Sequence, residues 1–461
     1  MTHTLQAYAT YLPAWRLSPA STGARSTRVV ASFDEDSTTM AVEAAGALLS
    51  TLGPGTPVPS LHFATTSPAY LDKTNAVAVH AALGLDETAF AVDVAGSGRS
   101  AFAALRGALT DGGLAVAADV RVGKPGSTDE RSGGDGAAAL LFGPGPGIAR
   151  VLARYSLSAE FLDRWREPTS TTGEQWEERF GFERYADLIR RAARETLVAA
   201  GVDEADHVVV TSPNAGVTKR AGTLVKGRLS TGGSPIGFSG AADTGLALAS
   251  VLDVAGPEET ILVLSAVDGC DVLLLRTTGH LPARRQRTPV REQLGRGREI
   301  PHLTYLAWRG LVERELPRRP EPDRPAGPPS DRAAGWKFGF NGSRCTDCGF
   351  VHLPPLRVCR RCGTADAMEP VPGTRLRGTV ATHTVDHLAY SPSPPVVVVV
   401  ADFDGGGRTS LELADPDPEA LTVGSRVEPA FRRFFTARGV HNYFWKARPS
   451  TGAAPVEGST T

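Results

Sequence analysis

The sequence predicts an α/β fold duplicated into two βαβ-type halves, followed by a four-cysteine metal ribbon and a small β-barrel of OB type. Three observations carry this. An apolar strand over 91–95 runs through Gly96-Ser97-Gly98 into the Ala-rich helical stretch Ser100–Leu109, and a Gly-rich turn opening 240–252 repeats the unit about 150 residues later. Two Cys-x-x-Cys-Gly pairs, Cys345/Cys348 and Cys359/Cys362, stand a short loop apart. Beyond them, short β-branched runs alternate with Gly, Asp and Pro turns, the pattern of a small barrel.

Taken in order, Tyr11-Leu12-Pro13 precedes a polar Thr/Ser/Arg stretch that predicts a surface loop. Acidic and hydroxyl residues from Asp34 lead into an Ala-rich run, the composition of a helix N-terminus. A strand over 61–66 ends at Ser67-Pro68, and further strands follow at 114–119 and 136–142. The order then returns. His207–Thr211, running into Ser212-Pro213-Asn214, mirrors the first strand; 240–252 mirrors the turn and helix; 261–265 and 268–275 mirror the last two strands. These features predict halves at 1–165 and 166–280 packed face to face. Residues 281–335 are rich in Arg and Pro and predict a linker, interrupted by a docking helix over 303–314 with apolar residues at helical spacing. The ribbon is expected over 336–370 and the barrel over 371–446, with strands at 378–385, 395–403, 408–413 and 426–431. The Ser/Thr/Gly/Pro-rich 447–461 predicts a disordered tail.

Of 461 residues, 41% are hydrophobic and 21% charged, and the formal net charge is −1, so no global field draws the chain to nucleic acid or an anionic membrane. No signal-like or spanning apolar run is present, which predicts a cytoplasmic protein. Four of its five cysteines form the ribbon. Each Cys-x-x-Cys-Gly points two thiolates at one ion, so Cys345, Cys348, Cys359 and Cys362 complete a tetrahedron with no open position: a structural Zn2+ site. Cys270, alone in an apolar strand, fits a small buried hydrophobe.

Residues 1–280 resemble the thiolase-like superfamily, in particular its hydroxymethylglutaryl-CoA synthase and ketoacyl-ACP synthase III branch. The resemblance rests on Tyr11–Pro13, Glu35–Ala41, Tyr70–Ala76 ahead of Leu83-Gly84, the Asp93 turn, Ser212–Asn214, and 237–265. Residues 336–446 resemble the rubredoxin-like zinc-ribbon and OB-fold family that accompanies thiolase-like proteins acting on acyl-CoA. The resemblance implies acyl-CoA or an acyl carrier protein as ligand, a homodimer through the first half, and a cysteine nucleophile at the helix N-terminus with His and Asn or Glu partners. Carried over position by position, the cysteine falls on Gly98, next to Ser97. The histidine falls on Thr211, the asparagine on Phe238 and the glutamate on Thr66. Condensation through a thiolate is therefore not expected.

An enzyme that keeps the acyl-CoA pocket can still run an aldol or retro-aldol reaction on a β-hydroxyacyl-CoA, which needs a base and an enolate-stabilising group but no nucleophile. Backbone N–H groups at Ser97-Gly98 suit the second role. Tyr70, Asp72, Asp243 and His383 are candidates for the base. Each also has a structural reading: Tyr70 and Asp72 as loop packing and capping, Asp243 as a helix N-cap, His383 as a half-exposed strand residue. Two alternatives stand beside the lyase. One is a non-catalytic acyl-CoA or carrier-protein scaffold for a partner enzyme. The other is a nucleic-acid module, for which Phe431, Phe434, Phe435, Tyr443, Phe444 and Trp445 beside Arg432, Arg433 and Arg438 would supply stacking and charge, against Asp402, Asp404, Glu412, Asp415 and Asp417.

Overall fold

The computed structural model describes residues 3–53, 55–315 and 318–450. They divide into two compact units, one of Met1–His80 with Leu85–Val312, the other of Ala81–Gly84 with Glu313–Thr461.

The first unit contains the repeat, except for Ala81–Gly84 at the end of its second helix, which count with the second unit. Its first half is β1 (Thr4–Tyr11), α1 (Ser37–Ser50), β2 (Ser60–Thr65), α2 (Ala76–Leu83), β3 (Phe90–Ala95), α3 (Ser100–Asp111), β4 (Gly113–Asp119) and β5 (Gly136–Gly143). Its second half is β6 (Ala149–Ser158), α4 (Glu178–Ala200), β7 (His207–Thr211), α5 (Ala215–Arg220), β8 (Leu229–Gly232), α6 (Ala242–Leu252), β9 (Thr260–Ser265) and β10 (Gly269–Thr277). The strand order is palindromic: β3-β2-β4-β5-β1, then β6-β10-β9-β7-β8. In each half the strand entering the repeat pairs in parallel with two neighbours, and the last two strands pair antiparallel. The ten strands form one continuous sheet, its two halves joined where β1 pairs with β6 at Leu5 and Ala149. Because β6 pairs along its length with β10, it belongs to the second half, which therefore begins before the expected division at 165/166.

Why the strands are apolar on both faces follows from the layers. β2, β4, β5, β7 and β9 are buried at every residue, as strands covered by helices on both sides must be. α3 and α6 share one core with residues of both halves of the sheet, including Ala101, Ala104, Leu105, Leu246 and Leu248. Their Ala content lets backbones pack closely, and α6 is buried on nearly every face. On the outer side, α1 starts from a capping box in which Asp36 and Thr39 exchange hydrogen bonds. The corresponding outer helix, α4, buries Tyr185, Ala186, Ile189, Ala193 and Leu197 along one stripe.

Residues 281–312 belong to this unit and are not a free linker. Gln286 and Gln293 hydrogen-bond Thr10 of β1, and helix α7 (His302–Trp308) is shorter than the expected 303–314. It buries Tyr305 against Leu17, Val30 and Ile300. None of the described helices is long and apolar enough to cross a membrane.

In the second unit, β11 (Asn341–Cys345), β12 (Val351–His352) and β13 (Met368–Pro372) form the ribbon sheet in the order β12-β11-β13. The barrel is β14 (Gly378–Asp386), β15 (Val396–Phe403), β16 (Arg408–Glu412), β17 (Arg426–Ala437) and β18 (Val440–Pro449), ordered β16-β15-β14-β17-β18. A bridge from Leu413 to Ala447 brings its two edges together. β18 extends past the expected barrel end at 446, to Pro449; the rest of the expected disordered tail, 451–461, lies outside the described residues. Phe431, Tyr443 and Trp445 are core residues of the barrel, at 0%, 5% and 5% exposure, and so cannot stack on a base, while Phe434, Phe435 and Phe444 are half-buried.

Candidate active site

β4 ends in Asp119, fully buried, and this carboxylate organises the site. It accepts from the Thr65 hydroxyl (2.8 Å), the Thr66 amide (2.7 Å) and hydroxyl (2.9 Å), and the Ser67 amide (3.0 Å) and hydroxyl (2.9 Å). It also accepts from the Ala241 amide at 2.6 Å. The end of β2 in one half is thereby tied to the start of α6 in the other. Charge-assisted bonds of this kind are among the stronger ones, and each donor left unmatched in a buried place would cost on the order of 1–3 kcal/mol.

Around this hub the expected positions converge. Gly98 is buried, and a Cβ placed on it would lie 3.4 Å from the Gly240 carbonyl oxygen. The first-turn amides of α3 are partly spoken for: Ser100 N–H donates to the Ser97 carbonyl at 3.0 Å and Ala101 N–H to the Gly98 carbonyl at 3.3 Å. Among the described residues no acceptor takes the Gly98 N–H. Arg99 secures the turn from the other side, through two bonds to Asp271 at 2.7 and 3.1 Å and one to the Asp268 carbonyl at 2.9 Å. Thr211 shares a 3.0 Å hydroxyl contact with Thr244 of α6.

Asp243 lies in the first turn of α6, not at its N-cap, which is Ala241. Its carboxyl accepts from the Ser239 amide at 3.3 Å and faces the Ser239 hydroxyl at 3.4 Å. Burial raises its pKa to about 7, against the Ser239 and Ser234 amides and the Arg121 cation, which lower it.

Three arginines that the sequence did not single out stand beside these positions. Arg121, just past β4, donates to the Thr66 hydroxyl at 3.0 Å, and its guanidinium carbon lies 5.1 Å from the Phe238 ring centroid. Arg164 lies 5.6 Å from the same centroid and pairs with Asp129. Arg166 donates to the Thr66 carbonyl. Burial first, then the Arg164 cation, lowers the pKa of Arg121. A small cavity of about 30 Å3, open to solvent, is lined by Arg121, Asp129, Arg164, Trp176, Asn214 and Phe238. Arg121 gave no sequence signal, because a lone arginine after a strand matches any surface residue. Asp119 did give one: it is a charged residue ending an otherwise apolar strand.

The remaining candidates sit elsewhere. Tyr70 and Asp72 occupy the loop after β2, which Asn75 fastens to Asp93 of β3 through bonds of 2.7 and 2.9 Å; Asp72 is exposed. His383 is a half-buried residue of β14 in the second unit. Cys270 is fully buried in β10, and burial pushes its thiol pKa far above the ordinary value.

In the ribbon the four sulfurs lie within 4.8 Å of one another. Cys345–Cys362 and Cys348–Cys359 stand 3.6 and 3.5 Å apart, close to the edge of a tetrahedron around one ion. The knuckles are built alike: Gly349 N–H donates to the Cys345 carbonyl and Gly363 N–H to that of Cys359, both at 2.9 Å, with φ of 72° and 82° at the two glycines. The donor set and spacing fit zinc.

Comparison with known proteins follows this division. Residues 340–369 match the model of the ChsH2 rubredoxin-like zinc ribbon domain and 370–432 that of the ChsH2 C-terminal OB-fold domain. Hydroxymethylglutaryl-CoA synthase of Archaeoglobus fulgidus is 29% identical over 304 residues, 62% of this chain and 88% of that protein. The enzyme of that name from Aeropyrum pernix is 30% identical over 311 residues, 63% of this chain and 86% of the relative. A DUF35 domain-containing scaffold protein of Methanocaldococcus jannaschii is 30% identical over 118 residues, 24% of this chain and 83% of its own length. Among solved structures, an HMG-CoA synthase complexed with CoA has a TM-score of 0.59 at 16% identity, covering 67% of this chain and 90% of that one, which supports the thiolase-like fold. The chain thus belongs to the thiolase-like hydroxymethylglutaryl-CoA synthase family, joined in one polypeptide to a DUF35-type module of ChsH2-like zinc ribbon and OB-fold.

Proposed function

We propose that the first unit acts on a β-hydroxyacyl-CoA thioester by aldol or retro-aldol chemistry, without a covalent thiolate step. The observation that carries this reading is the Gly98 turn: a backbone amide of a buried residue, with no acceptor among the described residues, stands where the resemblance puts a nucleophilic cysteine. The one cysteine outside the ribbon, Cys270, is buried and held as a neutral thiol. In the cleavage direction a base takes the β-hydroxyl proton, and the oxygen's electron pair forms a carbonyl. The Cα–Cβ bond breaks, its electrons pass into a thioester enolate, and a proton returned to Cα releases the shortened thioester. The Gly98 N–H is the donor for the enolate oxygen. Asp243 is the first choice of base, since a carboxyl with a pKa of about 7 is partly ionised at neutral pH and basic enough to hold the proton it takes. Tyr70 and Asp72, on the loop after β2 of the same unit, follow it.

The test is incubation of the full chain with a panel of β-hydroxyacyl-CoA thioesters, tertiary alcohols included, followed by mass spectrometry. A shortened acyl-CoA with a released ketone or aldehyde, formed equally by Cys270→Ala, is the expected result. Binding without turnover would favour a second reading, a scaffold that holds an acyl-CoA or acyl carrier protein for a partner enzyme. The match to a scaffold protein over the ribbon and barrel favours that second reading. Zinc in the ribbon is proposed as structural, because four thiolates leave no place for water. Chelation should release about one equivalent of zinc and expose the amides of 341–372 to hydrogen exchange, leaving those of β2, β4 and β5 protected. A homodimer through the half-exposed edge strand β3, where Phe90 is 59% exposed, completes the proposal.

A further inference from the structure

We propose that Ser230, His207 and Glu259 form a second catalytic site, a serine nucleophile relay that hydrolyses short-chain carboxylic esters. It lies at the end of the second half away from the Gly98 turn and goes beyond the lyase reading.

β7 runs parallel to both β8 and β9, so the starts of the three strands lie side by side. His207 opens β7 and Glu259 immediately precedes β9, whereas Thr211, in contact with α6, closes β7. β8 is the edge strand. Its register places Val208 opposite Leu229 but Val209 opposite Thr231, which leaves Ser230 as the extra residue of a bulge. Bulges on edge strands re-aim a side chain. Ser230 is exposed, and its hydroxyl stands 2.8 Å from Nδ1 of His207, a buried residue. Across the ring, Nε2 lies 2.8 Å from Glu259 Oε2. That carboxylate also accepts from the Gly256 amide at 2.7 Å, and the two bonds, the His207 one first, hold it below the usual carboxylate range. An ionised Glu259 can only accept, so Nε2 carries the ring proton and Nδ1 turns its lone pair to the Ser230 hydroxyl. The neighbouring Asp206 is committed to Thr260, accepting from its amide at 2.8 Å and its hydroxyl at 2.7 Å. Arg228 Nη2 lies 3.0 Å from both ring nitrogens. A point so placed lies over the ring face, because in the ring plane it would collide with the ring carbons. The guanidinium is therefore stacked and leaves the in-plane lone pair to Ser230.

A nucleophile, its base and a group that orients the base are the parts that acyl transfer needs. The Ser230 oxygen attacks the ester carbonyl carbon as its proton passes to His207 Nδ1. The carbonyl π pair moves onto oxygen beside the Arg228 cation, then returns as the C–O bond to the alcohol breaks, and the alcohol takes the proton from His207. Water, giving a proton to the same nitrogen, attacks the acyl-serine, and Ser230 leaves with that proton. One ester and one water become one carboxylic acid and one alcohol. Glu259 offsets the repulsion between Arg228 and the imidazolium that forms in each step. Because Arg228, Leu229 and Ser230 are all exposed, the carbonyl arrives from solvent, which suits a short acyl group.

The experiment treats the full, zinc-loaded chain with phenylmethanesulfonyl fluoride, maps the adduct by peptide mass spectrometry, and follows hydrolysis of 4-nitrophenyl acetate by absorbance. In the labelling step a Ser230 oxygen–sulfur bond forms, the sulfur–fluorine bond breaks, and fluoride leaves with the serine proton. The expected result is a sulfonyl group on Ser230 and an esterase rate that falls about tenfold or more in Ser230→Ala. His207→Gln and Glu259→Gln should slow labelling of Ser230 by a similar factor. Melting temperatures certify that the variants fold; if His207→Gln does not, Glu259→Gln, which keeps the size of a half-exposed side chain and removes its charge, carries the same expectation. No label on Ser230 overturns the inference, and so does hydrolysis that survives Ser230→Ala. Labelling of Ser230 at an unchanged rate in the folded relay variants overturns it too, and would make the network a tie between strand ends. The lyase reading is tested apart from this one, since Ser230→Ala leaves the Gly98 turn as it is.

Discussion

The two halves carry the same strand–turn–helix unit, each with a glycine at its turn, and the two glycines are there for different reasons. Gly240 has φ of 61°, and a Cβ on it would meet the buried Asp119 Oδ2 at 1.9 Å. Gly98 has an ordinary backbone, and its nearest neighbours to a new Cβ are the Gly240 carbonyl oxygen at 3.4 Å and Val267 at 3.7 Å, normal contact. One glycine is required by the fold; the other leaves room for a side chain that is not there. The most direct way to break the comparison is Gly240→Ala. The left-handed backbone alone costs an alanine roughly 1–2 kcal/mol, and displacing Asp119 from its donors adds at least as much. We expect a loss of about 3 kcal/mol by urea denaturation. A loss below about 1 kcal/mol would mean that the Asp119 hub is loose and that the two turns are equivalent after all.

A second difference lies in charge. The second-half turn carries Asp243, buried behind Ser239, and the first-half turn has no carboxyl in the same place. Its raised pKa fixes a sign. Between about 3.8 and about 7 the folded protein keeps a proton that the unfolded chain has already released, so stability falls as pH rises; above about 7 both states are ionised and the slope ends. The contribution is up to about 1.4 kcal/mol per pH unit in that window. Asp243→Asn should remove that part of the pH dependence, measured as denaturation midpoints across pH 4–8. An unchanged profile would remove Asp243 as the base, since its carboxyl would then titrate as if in water.

The repeat was legible because its marks are local: Thr-Ser-Pro after a strand, Gly before an Ala-rich helix, Asp-Gly before a final apolar run. The palindromic sheet then follows from two copies of one connection rule. What sequence reading missed was either two-sided or non-local. Helix α4 has its apolar stripe hidden among Arg and Glu, and β6 alternates half-buried and exposed residues beside a strand far along the chain. The metal ligands were readable because four thiols at knuckle spacing leave little choice. Of the candidate site, Thr66, Gly98, Thr211, Phe238 and Asp243 are brought together, yet the charged group among them, Arg121, has meaning only once its partners are seen.

The smallest expected effect on stability is the most informative about chemistry. Gly98→Ala should change stability by no more than about 0.5 kcal/mol, because the added methyl makes ordinary contacts and reduces the freedom of the unfolded chain. Gly98→Cys should be tolerated to a similar degree and place a thiol at the N-terminus of α3, where helix amides lower thiol pKa values. The unaltered first unit offers only Cys270, so native protein with its ribbon metal-loaded should resist iodoacetamide at neutral pH, while the variant takes one label at residue 98. A labelled variant that folds normally would show that the turn holds a geometry in which a nucleophile at residue 98 is reachable and reactive. A variant that folds but stays unlabelled would place Gly98 out of reach of small molecules, and with it the amide on which the proposed enolate depends.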